Sequence, residues 1–178
     1  MIEFEYYDWT NLLDDDTRAH YKKSIDWIID HGNYWHNSPP YQTDVNVFGL
    51  PGAEWNNLKM SFIWSCFAFM KKEQQIKSIK SWGYKTNLET QEDRNNYWHQ
   101  HIRDNNIVLS GVYYLELPEG CNLETSGTEF AYPNPEGNIT SCPAKLGHWI
   151  IFPGKHWHRP GLLENNNWRY IVAADMEI

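Results

Sequence analysis

From Trp82 onward the sequence is written in short extended runs separated by turn formers, and this alternation restricts the fold more than any other feature. The runs are Tyr97 to Ile102, Val108 to Leu117, Thr128 to Tyr132, Trp149 to Pro153 and Tyr170 to Met176. Between them lie Asp104-Asn105-Asn106, Pro118-Glu119-Gly120, Pro133 to Gly137 and Glu164 to Asn167. Evenly spaced short strands with such turns close into a β-sandwich or jelly roll. The preceding stretch has another texture. Tyr21, Ile25, Ile28 and Ile29 recur at helical spacing, with Asp14 to Asp16 at the start and Gly32 as a stop. Leu58, Phe62, Cys66, Phe69 and Met70 fit a second helix, which continues weakly from Glu73 to Ile79 with Lys71-Lys72, Lys77 and Lys80 on its solvated face. Asn33 to Gly52 reads as loop with a short strand at Val45 to Phe48. The expectation for 178 residues is one domain. In it, 1–80 forms a helical and loop support and 81–178 a mainly β core, with the helices packed on one face.

Composition narrows the partners. A net charge of −8 leaves no clustered excess of Lys and Arg, so nucleic acid is not expected. No run of about 18 apolar residues crosses a membrane, and the acidic, aromatic N-terminus lacks the basic and apolar regions of a signal peptide. Cys66, Cys121 and Cys142 are odd in number and show no C-x-x-C spacing. They read as free thiols in a reducing compartment, which places the chain in the cytoplasm. Ten Trp, eleven Tyr and seven Phe make 16% of the chain, against a mean hydropathy of −0.69. Large rings with polar edges fill cores and also line concave sites. Trp27, Trp64 and Phe69 are expected in the core of the helices, and Trp149 in that of a strand.

The histidines carry the chemistry. His99-Gln100-His101 falls on an extended run, where residues i and i+2 share a face, so two imidazoles can chelate one ion. Gly147 to Pro153 is a tight turn into an apolar strand, and His158 follows just beyond it as a third ligand. Eleven residues later Arg169 opens the last, otherwise apolar run. An Arg there needs an anion and can hold a carboxylate through two parallel hydrogen bonds.

These stretches, together with Ser81-Trp82 and Leu109 to Leu115, resemble the Fe(II)- and 2-oxoglutarate-dependent oxygenases. The likeness is to small members found in phages and bacteria, distantly akin to prolyl hydroxylases. The resemblance covers a little over half of the chain and implies a double-stranded β-helix, a cupin-like form of jelly roll. It matches His99 to the first iron ligand, His158 to the distal His, Arg169 to the Arg that binds the far carboxylate of 2-oxoglutarate, and Tyr114 to a Tyr that hydrogen-bonds the same group. The wider family has a carboxylate where this chain has His101. The third ligand is therefore His101 or Asp104. Ile171 stands where many relatives carry a Ser. The implied activity is that of a dioxygenase, most simply a hydroxylase of a peptidyl or small-molecule substrate using Fe(II), 2-oxoglutarate and O2. Trp98, His156 and Trp157 are candidates for the substrate pocket.

Two other readings use the same residues. Cupins also build a metal site from HxH and a distal His, with the spacing of Gly147, Pro153 and His158, but they leave Arg169 without a role. A non-catalytic β-sandwich would use Trp98, Trp149, Trp157 and Trp168 as stacking platforms. It gives no reason for the register of His99, His101, His158 and Arg169.

Overall fold

The computed structural model describes residues 2–32, 41–92, 97–103 and 106–178. Two helices lie against one face of a double-sheet jelly roll, cupin-like in its architecture. Helix α1 (Asp15–His31) starts where the Asp14 carboxylate accepts a hydrogen bond from Thr17 N, which satisfies one of the free N–H groups of its first turn. Helix α2 (Ala53–Met70) stops at Lys71, which adopts a left-handed conformation (φ 57°). The weak helical continuation to Ile79 therefore does not form, and Ser78 already opens a strand.

Among the described residues eight strands form: β1 (Glu5–Asp8), β2 (Ser78–Thr86), β3 (Val108–Glu116), β4 (Thr128–Tyr132), β5 (Asn138–Cys142), β6 (His148–Pro153), β7 (Trp157–Pro160) and β8 (Arg169–Glu177). The larger sheet has the order β1-β6-β3-β8-β2 and the smaller one β5-β4-β7. All pairings between these strands are antiparallel. A short helix, α3 (Leu88–Glu92), follows β2.

Strand parity divides the large sheet into two cores. Tyr113, Leu115, Trp149, Ile151, Tyr170, Val172, Ala174 and Met176 face the helices, where they meet Ile25, Trp55, Leu58 and Phe62. Their neighbours Tyr114, Ile150, Phe152, Ile171 and Ala173 face the small sheet and meet Phe130 and Cys142. The helices approach closely because β2 has Gly83 at the contact: a Cβ there would stand 2.5 Å from Ile25 Cγ1.

Several local expectations are corrected. Val45 to Phe48 is not a strand, since Val47–Gly49 is a 3-10 turn. The run Tyr97 to Ile102 is extended but bridges its neighbours only at isolated residues such as His99. Trp27 and Trp64 are 63% and 52% exposed on the outer sides of α1 and α2, so they are not core. Both lie away from the face that carries Ile25, Ile29, Leu58 and Phe62. No described helix is long and apolar enough to cross a membrane.

Candidate functional site

Between the two sheets the inner faces of β2, β3 and β8 open into a cavity of about 1320 Å³. Three of the predicted ligands converge in it. The His99 segment runs antiparallel to the start of β7: His99 N donates to His158 O at 3.1 Å, and His158 N donates back to His99 O at 3.0 Å. Residues that exchange both bonds in this way carry their side chains on the same face. One step further, His101 N donates to Gly154 O at 2.7 Å. Gly154 permits this approach, because a Cβ on it would stand 2.7 Å from His101 O.

One ring nitrogen from each of His99, His101 and His158 lies within 4.8 Å of the others. The remaining nitrogen of each ring faces an oxygen. His99 Nδ1 is 3.2 Å from Tyr97 O, and His158 Nδ1 is 2.8 Å from His156 O. His101 Nδ1 lies 2.5 and 2.6 Å from the two Asp175 oxygens. A carbonyl or carboxylate oxygen only accepts, so each Nδ1 carries the hydrogen and each Nε2 presents a lone pair. Three convergent lone pairs without hydrogens repel one another and suit a divalent cation, for which imidazole is a usual donor. Burial, followed by the charges that His99 and His101 would carry, drives the His158 pKa well below its ordinary value. The buried ring is thus held neutral, the form that binds metal. Asp104, the other candidate third ligand, lies outside the described residues.

At another part of the cavity wall Arg169 is 2% exposed. Its Nη1 donates to the carbonyls of Ser126, Gly127 and Gly161, and Nη2 donates to Thr86 Oγ1 at 3.1 Å. No carboxylate among the described residues lies within ion-pair distance of it. Among the described residues this buried guanidinium meets only neutral oxygens, which leave its charge uncompensated. Two further observations mark the spot as polar. Among the described residues Ser126 Oγ is buried with no partner, and the Tyr114 hydroxyl is hydrogen-bonded to Thr128 Oγ1 at 2.9 Å. Burial pushes the Tyr114 phenol up to about 12, so it keeps its proton and remains a donor.

The three substrate-pocket candidates fall elsewhere. His156 and Trp157 line a separate cavity of about 320 Å³ with Tyr132 and Lys155. His156 lies in the turn before β7, where its Nε2 accepts from Glu3 N at 3.3 Å and its carbonyl meets His158 Nδ1, so its ring is held outside the main cavity. Trp98 is covered by the Arg159 guanidinium, 4.4 Å from the ring centre, and Arg159 rather than Trp98 faces the main cavity. Trp149 is fully buried and Trp168 carries Lys85 at 5.1 Å, so these two faces are also occupied. Sequence reasoning missed Asp175, Ser110, Thr86 and Ser126. Asp175 alone had a signal, since it shares strand parity with Arg169.

No family model matches the chain, and no curated protein matches it in sequence. Solved structures do resemble its fold. AviO1 from Streptomyces viridochromogenes Tue57 superposes with a TM-score of 0.67 at 14% identity, over 99% of this chain and 90% of that one. EvdMO1 gives 0.68 at 20% identity over 99% of this chain, which spans 47% of EvdMO1. The epimerase SnoN, in complex with Fe3+, alpha ketoglutarate and nogalamycin RO, gives 0.67 at 10% identity over 98% of this chain and 78% of SnoN. At these identities the likeness is one of fold.

Proposed function

We propose that the protein is an Fe(II)- and 2-oxoglutarate-dependent oxygenase, a hydroxylase of a peptidyl or small-molecule substrate. One observation carries the reading: three imidazole lone pairs and a buried guanidinium with no carboxylate partner among the described residues line the same cavity. The first element asks for a cation and the second for an anion. The fold likeness to SnoN, whose complex contains Fe3+ and alpha ketoglutarate, supports the pair.

On this reading His99, His101 and His158 hold the iron, with their Nδ1 hydrogens pinned to Tyr97 O, Asp175 and His156 O so that no ring needs to turn on binding. Arg169 would hold the far carboxylate of 2-oxoglutarate, and the protonated Tyr114 hydroxyl would add a donor. When bound, iron and 2-oxoglutarate supply the oxidising chemistry by activating O2 as the keto acid is decarboxylated. Phe152, Ile171 and Ala173 line the cavity with groups that exclude water and resist oxidation. Its volume of about 1320 Å³ exceeds the 300–1,000 Å³ typical of a single ligand site, which leaves room for a substrate beside the cosubstrate.

The test is to add Fe(II) and 2-oxoglutarate without oxygen and look for the weak visible charge-transfer band of the chelate. A band that requires Arg169, followed by succinate formation on admitting O2, is the expected result. A second reading is favoured by the all-imidazole ligand set: a cupin-type metal protein that takes no 2-oxoglutarate. Metal uptake without any band, in both wild type and Arg169→Ala, would establish it over the first.

A further inference from the structure

A site of three neutral imidazoles differs from one with a carboxylate ligand by a unit of charge, and the fold offers that charge one bond away. Asp175 sits on the inner face of β8 with its side chain 13% exposed, and both of its oxygens lie within 2.6 Å of His101 Nδ1. Ser110 Oγ, from the adjacent strand β3, donates to Asp175 Oδ1 at 2.7 Å and fixes the carboxylate from the side. Trp82 packs on the His101 ring, with centroids 5.7 Å apart, so the pair is walled from one side by an apolar surface. No lysine or arginine among the described residues forms an ion pair with Asp175.

We propose that Asp175 is a positioning residue that lends its negative charge to the metal through His101, so that Asp175 and His101 together act as the anionic ligand of this centre. The inference rests on the three-histidine site described above. A carboxylate accepting from the far nitrogen of a ligating imidazole fixes its tautomer and orientation and raises its basicity, and losing such a partner typically costs 10–100-fold in metal affinity. Ser110 is the brace of the unit. Its position is set by the β3–β8 register, in which Ser110 faces Asp175 directly.

The experiment uses Co(II) as an air-stable spectroscopic ion, titrated into the metal-free full-length protein, with affinity and the visible d–d spectrum as readouts. Asp175→Asn keeps the shape and still accepts from His101, but removes the charge. It should weaken Co(II) binding about 10-fold or more and shift the d–d bands. Ser110→Ala, which loosens the brace without touching His101, should weaken binding less. The decisive variant is His101→Asp, which places a carboxylate in the ligand position. With Asp175 behind it two anions then confront each other, so His101→Asp/Asp175→Asn should bind Co(II) more tightly than His101→Asp alone. A purely structural role for Asp175 predicts a loss in both backgrounds. The inference is overturned if Asp175→Asn binds within twofold of wild type with an unchanged spectrum, or if Asp175→Asn weakens both backgrounds alike. If His101→Asp takes up no ion with either residue at 175, the comparison in the wild-type background decides. Wild type that takes up no Co(II) refutes the metal site itself, a different result from wild type that binds and Asp175→Asn that matches it.

Discussion

Arg169→Gln separates the proposed cosubstrate site from the fold in one measurement. In the structure Arg169 contributes hydrogen bonds to Ser126 O, Gly127 O, Gly161 O and Thr86 Oγ1, but it has no acidic partner among the described residues. Glutamine keeps a donor for one of these acceptors and removes the charge. The stability of the ligand-free variant is then a balance: unsatisfied carbonyls cost about 1–3 kcal/mol each, and deleting an unpaired buried cation returns part of that. The ligand response has no such ambiguity. For Co(II)-loaded wild type at 2-oxoglutarate one hundred times its Kd, binding linkage adds about 2.7 kcal/mol. At about 2–4 °C per kcal/mol for a chain of this size, the midpoint should rise by roughly 5–10 °C. Breaking a buried charge pair by removing one partner costs about 3–5 kcal/mol, which weakens 2-oxoglutarate by a factor of roughly 150 to 5,000. At the same ligand concentration the variant should therefore shift by about 1 °C or less. Differential scanning fluorimetry with and without 2-oxoglutarate reads this directly, each protein serving as its own baseline. An Arg169→Gln protein that retains more than half of the wild-type shift refutes Arg169 as the anion site.

Other expectations follow from burial and contact. His99→Ala and His158→Ala should both abolish Co(II) uptake in a titration, but only the second should lower the metal-free midpoint. His99 is exposed, whereas His158 packs on Phe152 at 4.8 Å between centroids and bonds His156 O. Gly83→Val forces carbon into Ile25 on α1 and should cost about 1–3 kcal/mol, a fall of roughly 2–12 °C by calorimetry, with Co(II) affinity retained. Trp27→Ser and Trp64→Ser should each leave urea-unfolding stability within about 0.5 kcal/mol, because the two rings are more than half exposed.

What the sequence disclosed depended on how strongly each strand is sided. β3, β6 and β8 have apolar residues on both faces, one set against the helices and one against the small sheet, so their runs were unmistakable. β5 is exposed over Asn138 to Ser141 and offers no alternation to read. β1 is four residues at a sheet edge, and β7 ends in Pro160. In β2, Lys77 and Lys80 flank Ile79 at a spacing that also suits a helix. What decides for strand is the nine-residue ladder with β8, a contact that no local pattern encodes. The same limit applies to the site. HxH, His158 and Arg169 were visible because their residue types are costly to bury without a purpose. Thr86 and Ser126, which surround Arg169, are ordinary polar residues brought there by tertiary packing. Trp157 lies outside the main cavity because the sequence neighbour of a ligand turns to the other face of an extended chain, whereas His156, two residues before His158, leaves it because the turn before β7 ties its ring to Glu3 N.

Strand β8 carries the charges on which the proposed binding of a cation and an anion rests. Arg169, Ile171, Ala173 and Asp175 share one face of it, so the strand carries opposite charges at its two ends. Six residues of strand separate them by roughly 20 Å. At an effective dielectric near 20 their attraction over that distance is below about 1 kcal/mol, too little to offset burial of either charge. Neither residue neutralises the other, and each is left to act on what stands in front of it. In front of Asp175 is His101, and through it the three-nitrogen site. Around Arg169 the described residues present only neutral oxygens. A metal ion at the histidine end and a carboxylate at the arginine end satisfy both poles, whereas either alone leaves the other charge uncompensated. On the proposed reading one 2-oxoglutarate molecule would meet the metal with its keto-acid end and Arg169 with its far carboxylate, so metal and 2-oxoglutarate should bind with positive coupling, each raising the affinity of the other by the same factor. Equal Co(II) affinities with and without saturating 2-oxoglutarate, measured by calorimetric titration, would contradict this division of charge along β8.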